Sequence, residues 1–203
     1  AGPDSVVPLA DAAASLHYSL PEFGVRIEFQ PADFIQVNGA LNAAMVSRAV
    51  AMLELEATHS VLDLFCGLGN FTLPMARRAA EVVAVEGDAG LVARARENAV
   101  RNGVANAAFH VADLFKDNSA LPWARRAYDR VLLDPPRAGA REVLPIVSKS
   151  GAQRVLYISC HPGSLARDAG ILVQEHGFRL AAAGVMDMFP HTTHVEAMAV
   201  FER

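Results

Sequence analysis

Five short aliphatic runs, each ended by a turn and separated by helical stretches of about ten to fifteen residues, constrain this chain more than any other feature. VLDLF (Val61 to Phe65), VVAVE (Val82 to Glu86), AAFHV (Ala107 to Val111), RVLLD (Arg130 to Asp134) and RVLYIS (Arg154 to Ser159) each read as a buried strand. Helices are predicted from about Asn70, from Asp88 as its cap to about Asn102, after Gly139, and from near Pro162 to about Gly177. Such alternation implies an α/β fold with a mostly parallel sheet covered on both faces and wound right-handedly. The end of the chain breaks the rule. FRLAAAGVMDMF and HVEAMAVFER are separated only by PHTT, too short for a parallel crossover, so they are predicted to pair antiparallel.

Upstream of the first of these strands, Leu41, Met45, Val46, Ala49, Val50 and Leu53 recur at helical spacing behind Asn38, a possible N-cap. LHYSLPEFGVRIEFQPADFIQ (Leu16 to Gln36), punctuated by Pro21, Gly24 and Pro31, predicts a hairpin and one further strand. Residues 1–33 are read as the remnant of a preceding β-rich domain and residues 34–203 as the main domain. With 203 residues, 52% of them hydrophobic, the chain can bury one substantial core. No apolar run approaches the roughly 20 residues of a membrane span, and AGPDSVVPLA lacks the basic start and long apolar core of a signal peptide. The expectation is a cytoplasmic protein without membrane contact, and a monomer is favoured. Its two cysteines, Cys66 and Cys160, offer neither a disulfide framework nor a cysteine-rich metal site, so no metal is predicted. A formal net charge of −4 argues against gripping nucleic acid by charge alone, and any basic surface is expected in an upstream part.

DLFCGLGNF (Asp63 to Phe71) joins the first sheet strand to its helix, where doubly wound folds bind ligands. Gly67 and Gly69 allow a tight turn and a close backbone approach. Glu86 ends the next strand, where a carboxylate can accept both hydroxyls of a ribose. The dinucleotide fingerprint would place a third glycine where Thr72 stands. Asp113 follows the third strand and could meet an adenine amino group or merely cap the turn. Asp134-Pro-Pro-Arg137 puts a carboxylate on a stiff loop at the sheet edge, although Asp-Pro-Pro is also an ordinary strand-ending turn. Cys160 ends the fifth strand directly before a helix N-terminus, which lowers a thiol pKa; elsewhere on a strand a cysteine is ordinarily inert core. Cys66, beside the glycines, is read as packing. Glu196 interrupts an apolar strand, so it either faces solvent or has a chemical role.

In this order, FIQVN, DLFCGLGNFTLP, VEGD, LLDPPRAGA, YISCHPGSLARD and DMFPHTTHVEAM resemble the RNA 5-methyluridine (uracil-5-) methyltransferases, from about Phe34 to Arg203. The resemblance implies a Rossmann-like S-adenosylmethionine-dependent methyltransferase fold and methylation of carbon 5 of a uridine through a covalent cysteine adduct. It assigns cofactor contacts to Gln36, Phe65, Asn70, Glu86, Asp113 and Asp134, the nucleophile to Cys160 and the base to Glu196. VEGD and DMFPHT are most similar to the branch acting on 23S ribosomal RNA, with the transfer-RNA enzymes as the alternative. That branch carries an upstream RNA-binding domain and an iron–sulfur cluster, which could exist only in a region outside this chain. His161 stands where the family commonly has asparagine, and Asp113 where an asparagine is also seen. A non-catalytic module that binds S-adenosylmethionine or RNA would have no use for both Cys160 and Glu196. An amino-directed nucleic-acid methyltransferase would need no cysteine and tends to place an aromatic where Arg137 stands.

Overall fold

The computed structural model describes residues 15–192 and 194–203. Two strands, β1 (Leu16–Leu20) and β2 (Val25–Phe29), precede helix α1 (Gly39–Met52). The alternating part follows as β3 (Ser60–Leu64), α2 (Thr72–Ala76), β4 (Glu81–Glu86), α3 (Ala89–Arg101), β5 (Ala107–Val111), β6 (Arg130–Leu133), α4 (Leu144–Lys149), β7 (Arg154–Ser159), α5 (Pro162–Gln174), β8 (Arg179–Met186) and β9 (Glu196–Glu202). Strands β3 to β9 form one sheet in the order β5-β4-β3-β6-β7-β9-β8. All neighbouring pairs from β5 to β7 are parallel, while β9 runs antiparallel to both β7 and β8. The five expected strands and the antiparallel end are all present. No helix among the described residues is long and apolar enough to cross a membrane.

Strand alternation sorts the core into two layers. Val61, Val82, Ala84, Leu132, Leu156, Ile158, Met198 and Val200 point to the face covered by α1, α2 and α3. Leu62, Leu64, Val83, Val85, Val131, Leu133, Val155, Tyr157 and Phe201 point to the opposite face, under α4 and α5. Leu20, Phe23, Val25 and Ile27 of the N-terminal hairpin enter the first layer, so the hairpin shares its core with the sheet.

Three expectations need correction. The further strand before Gln36 does not form: the Gln30 N–H donates to Asp33 Oδ2 (2.7 Å) and the Asp33 N–H to Gln30 O (2.9 Å), closing a turn directly after β2. Helices α2 and α4 are far shorter than ten residues. Every residue of α2 is buried, and the chain leaves it at exposed Arg77 and Arg78 through tight bonds from Arg77 N–H to Pro74 O and Arg78 N–H to Met75 O. The connection between the last two strands runs from Asp187 to Val195, longer than PHTT, because β8 stops at Met186.

Helix α3 holds the hairpin in an unusual way. Strand β2 pairs with β1 along one edge only, leaving the outward amides of Arg26 and Glu28 without a strand partner. Asn98 accepts from Glu28 N–H (3.0 Å) and donates to Glu28 O (3.1 Å). One turn on, Asn102 does the same for Arg26, at 2.9 and 2.7 Å. Four residues of helix rise about 6 Å and two residues of strand about 6.7 Å, so the two side-chain amides imitate a neighbouring strand. Asn98 also reaches Leu68 O (3.4 Å) in the glycine turn. Replacing fully buried Asn98 by leucine strands a peptide N–H and C=O, and should lower unfolding free energy in urea by about 2 kcal/mol or more. Asn102→Leu, at a partly exposed site, should lose less.

Candidate active site

The sheet register brings the acidic and nucleophilic residues together. Asp63 has the parity of Val61, Asp134 that of Leu132, and Glu196 that of Met198 and Val200, so all three belong to the face covered by α1 to α3. Because β9 is antiparallel, its first residue lies at the carboxyl edge of the parallel strands. The β7–β9 ladder ends at Ser159↔Ala197, and one step further Cys160 falls opposite Glu196.

A cleft of about 610 Å³ opens there. It is lined by Gln36, Phe65, Gly67, Asn70, Glu86, Asp113, Asp134, Cys160 and Glu196, every site residue expected from sequence except Gly69. Gly69 serves the turn instead: its φ is +91° and its N–H donates to Cys66 O at 2.9 Å. Glu86 receives the Gly67 N–H on one oxygen (3.1 Å) and the Gly87 and Asp88 N–H groups on the other (2.7 and 3.0 Å), which fixes the carboxylate at the end of β4. Phe65 adopts φ +66°, a left-handed conformation that disfavours a bulky side chain, while Phe65 and Cys66 N–H both bond to Val85 O. Its ring lies 5.8 Å from that of Phe115. Asn70 is committed to the protein, accepting from Tyr18 (2.9 Å) and pairing with Asn42. Asp113 makes local contacts, accepting from Phe115 N–H (3.0 Å) and pairing with Lys116 (3.0 Å). Gln36 Oε1 is buried without a hydrogen-bond partner among the described residues, an acceptor that a ligand in the cleft can satisfy.

Tyr18, Phe115, Phe189 and His194 also line the cleft and were not assigned to the cofactor or nucleophile from sequence. They come from the hairpin and from loops without periodicity. Only the polar loop residues in HTTHVEAM gave a signal, for His194. Its Nδ1 lies 3.2 Å from Arg137 Nη1.

Burial dominates the electrostatics. Desolvation, with Glu196 and Asp63 adding repulsion, pushes Asp134 up to about 8. Desolvation pushes Asp63 up to about 7, against the hydrogen bond from Thr72 (2.5 Å) and with help from Glu86. Glu196, 3% exposed, is raised by burial. The expected lowering of the Cys160 thiol by the α5 N-terminus is overturned: burial, then Glu196 and Asp134, raise it, and Arg137 opposes them. Cys66 is buried and its thiol raised well above the ordinary value, first by burial, in keeping with a packing role.

A family model described as tRNA (Uracil-5-)-methyltransferase matches residues 21–203. The chain is 60% identical over 202 residues to the 23S rRNA (uracil(1939)-C(5))-methyltransferase RlmD of Xanthomonas axonopodis pv. citri, covering 100% of this chain and 46% of the relative. The protein of the same name from Stenotrophomonas maltophilia is 59% identical with the same coverage. The chain thus spans about half the length of the curated relatives it matches. Among solved structures, the tRNA (uracil-54, C5)-methyltransferase of Pyrococcus abyssi, in complex with S-adenosyl-L-homocysteine, matches with a TM-score of 0.78 and 28% identity, over 92% of this chain and 44% of that one. The M. jannaschii protein TYW2, in complex with AdoMet, shares the fold alone, with a TM-score of 0.70 at 19% identity over 96% of this chain and 89% of that one.

The Asp134 value fixes a sign. Between the ordinary 3.8 and about 8, the folded chain keeps a proton that the unfolded chain has released, so this group's contribution to stability falls as pH rises through that window. Asp134→Asn cannot titrate. Its urea midpoint relative to wild type should therefore climb steadily across that range, and a pH-independent difference would show Asp134 titrating normally.

Proposed function

Because the chain belongs to the tRNA (uracil-5-)-methyltransferase family, we propose that it methylates carbon 5 of a uridine in 23S ribosomal RNA, with S-adenosylmethionine as donor. The single observation that carries the chemistry is the register that sets Cys160 against Glu196 at the mouth of a cleft holding Glu86 and Gln36. The names of the two RlmD relatives support the ribosomal substrate and, within it, the uracil numbered 1939. A transfer-RNA target is the second reading, supported by the Pyrococcus abyssi structure at lower identity.

The cleft fits the cofactor. Glu86 is oriented to accept ribose hydroxyls, Phe65 and Phe115 offer ring surface to an adenine, and the orphaned Gln36 oxygen calls for a donor. Held there, S-adenosylmethionine supplies an electrophilic methyl group for carbon 5. Cys160, having lost its thiol proton, adds as a thiolate through Sγ to carbon 6, and the electron pair of the 5,6 double bond moves toward the carbonyl at carbon 4, making carbon 5 nucleophilic. Carbon 5 takes the methyl group as that group's bond to the donor sulfur breaks; Glu196 then takes the carbon 5 proton, the double bond re-forms and the Cys160 sulfur leaves as a thiolate. Burial suits Glu196 to this task, since a carboxylate with a raised pKa is a stronger base. Asp134, held protonated near neutral pH, can donate a hydrogen bond to a uracil carbonyl. A uridine reaches such a cleft only by leaving its stack.

Glu86→Ala should weaken binding of S-adenosylmethionine by about 1.5 to 3 kcal/mol in calorimetry; unchanged affinity would remove Glu86 from the ribose role. In the full-length protein, Cys160→Ala should abolish both methylation and any RNA adduct on denaturing gels. Glu196→Gln should still add and methylate but accumulate the adduct. Turnover by Cys160→Ala sinks covalent catalysis, and normal product release by Glu196→Gln hands the base role to another group.

A further inference from the structure

We propose that Asp168 is a positioning residue: buried beneath the loop that follows β6, it clamps that loop to α5 and so fixes Arg137 at the edge of the cleft shared with Cys160. The proposal deepens the reading above, on which it rests only for the role of Cys160. Asp168 is fully buried, two helical turns into the segment that begins at the nucleophile. Its Oδ2 accepts from the Ala140 N–H (2.7 Å) and from the Tyr157 hydroxyl (2.6 Å). Its Oδ1 accepts from Arg167 Nε (2.8 Å), and Arg167 Nη2 crosses to Ala138 O (2.8 Å). The loop is therefore gripped on both sides of Gly139, once through a donor and once through an acceptor.

Gly139 shows how close the grip is. Its φ is +88°, and a Cβ there would lie 2.6 Å from Asp168 Oδ2 and nearer still to the Arg167 guanidinium. Gly139 N–H also bonds to Pro136 O (2.9 Å), which closes the turn from Pro136 to Gly139 around Arg137. Asp134 is separately tied at its start, by its N–H to Leu64 O (3.3 Å). Loosening the clamp would accordingly displace Arg137 while Asp134 stays with β6. Arg137 meets His194 of the β8–β9 loop at 3.2 Å, and it is the cation that opposes Glu196 and Asp134 in their effect on the Cys160 thiol. Strand β7, helix α5 and the loop thus meet at one carboxylate that is fully buried and does not line the cleft.

The test compares Asp168→Asn, Tyr157→Phe and Arg167→Ala with wild type in the full-length protein. An asparagine must lose either the Ala140 arm or the Arg167 arm, and the other two variants each remove one arm while leaving the Asp168 carboxylate in place. Two readouts are taken: steady-state methylation, and the pH dependence of iodoacetamide labelling read on the Cys160 peptide by mass spectrometry. The expected result is a fall in kcat of about tenfold or more with KM for RNA within about twofold, and a labelling midpoint moved to higher pH. A labelling midpoint equal to wild type in every folded variant overturns the proposal. So does a rise in KM alone for Arg167→Ala, which would make Arg167 an RNA contact. If wild type methylates no uridine, the proposed function falls, while the labelling comparison still decides the role of Asp168.

Discussion

Strand β9 enters the sheet between β7 and β8 in the opposite sense to its neighbours, and the site follows from that one reversal. A parallel strand begins at the amino edge, far from the crevice where doubly wound sheets bind ligands. An antiparallel one begins at the carboxyl edge. Glu196, the first residue of β9, is thereby delivered to the point where Cys160 follows the end of β7, with the Ser159↔Ala197 pair setting the register. A slip of one residue would turn Glu196 to the other face, under α5, so the register that seats Met198 and Val200 in one layer and Phe201 in the other protects the chemistry as much as the packing.

Gathering Asp134, Glu196 and Glu86 around one cleft, with Asp63 buried nearby, has an electrostatic consequence that the helix N-terminus alone would not suggest. Asp63, Asp134 and Glu196 are raised by burial, and for Asp63 and Asp134 repulsion from neighbouring carboxylates adds to it. Cys160 shares that environment and is raised with it. The local cation, Arg137, matters for that reason, and the burial of Asp168 under its loop acquires a purpose beyond packing.

The glycine turn after β3 is stabilised from several directions. Glu86 takes the Gly67 N–H, Asn98 reaches Leu68 O, and the Tyr18–Asn70–Asn42 network ties the turn to both hairpin and α1. Together these contacts hold Phe65 in its left-handed conformation. The N-terminal hairpin is therefore part of how the cleft is shaped: Tyr18 lines it directly, and α3 grips β2 through two asparagines.

The sequence by itself determined the layered fold and most of the site. Five aliphatic runs at regular intervals can satisfy their backbone and bury their side chains only in a sheet covered on both faces, and motif residues at strand ends have to gather at its carboxyl edge. Cys160, Glu196, Asp134 and Glu86 were legible because chemistry-bearing side chains stand where apolar or turn residues would otherwise serve, whereas Gln36 came only from the family resemblance. What only the tertiary structure decided depends on partners distant in sequence. The strand expected before Gln36 gave way to an Asp33 turn, because a side chain offered its backbone a nearer acceptor. Asn98 and Asn102 read as ordinary polar helix residues until β2 lies against them. The direction of the Cys160 shift also belonged to the fold, since a helix terminus acts locally while burial and the carboxylates of β6 and β9 are assembled from three separate segments.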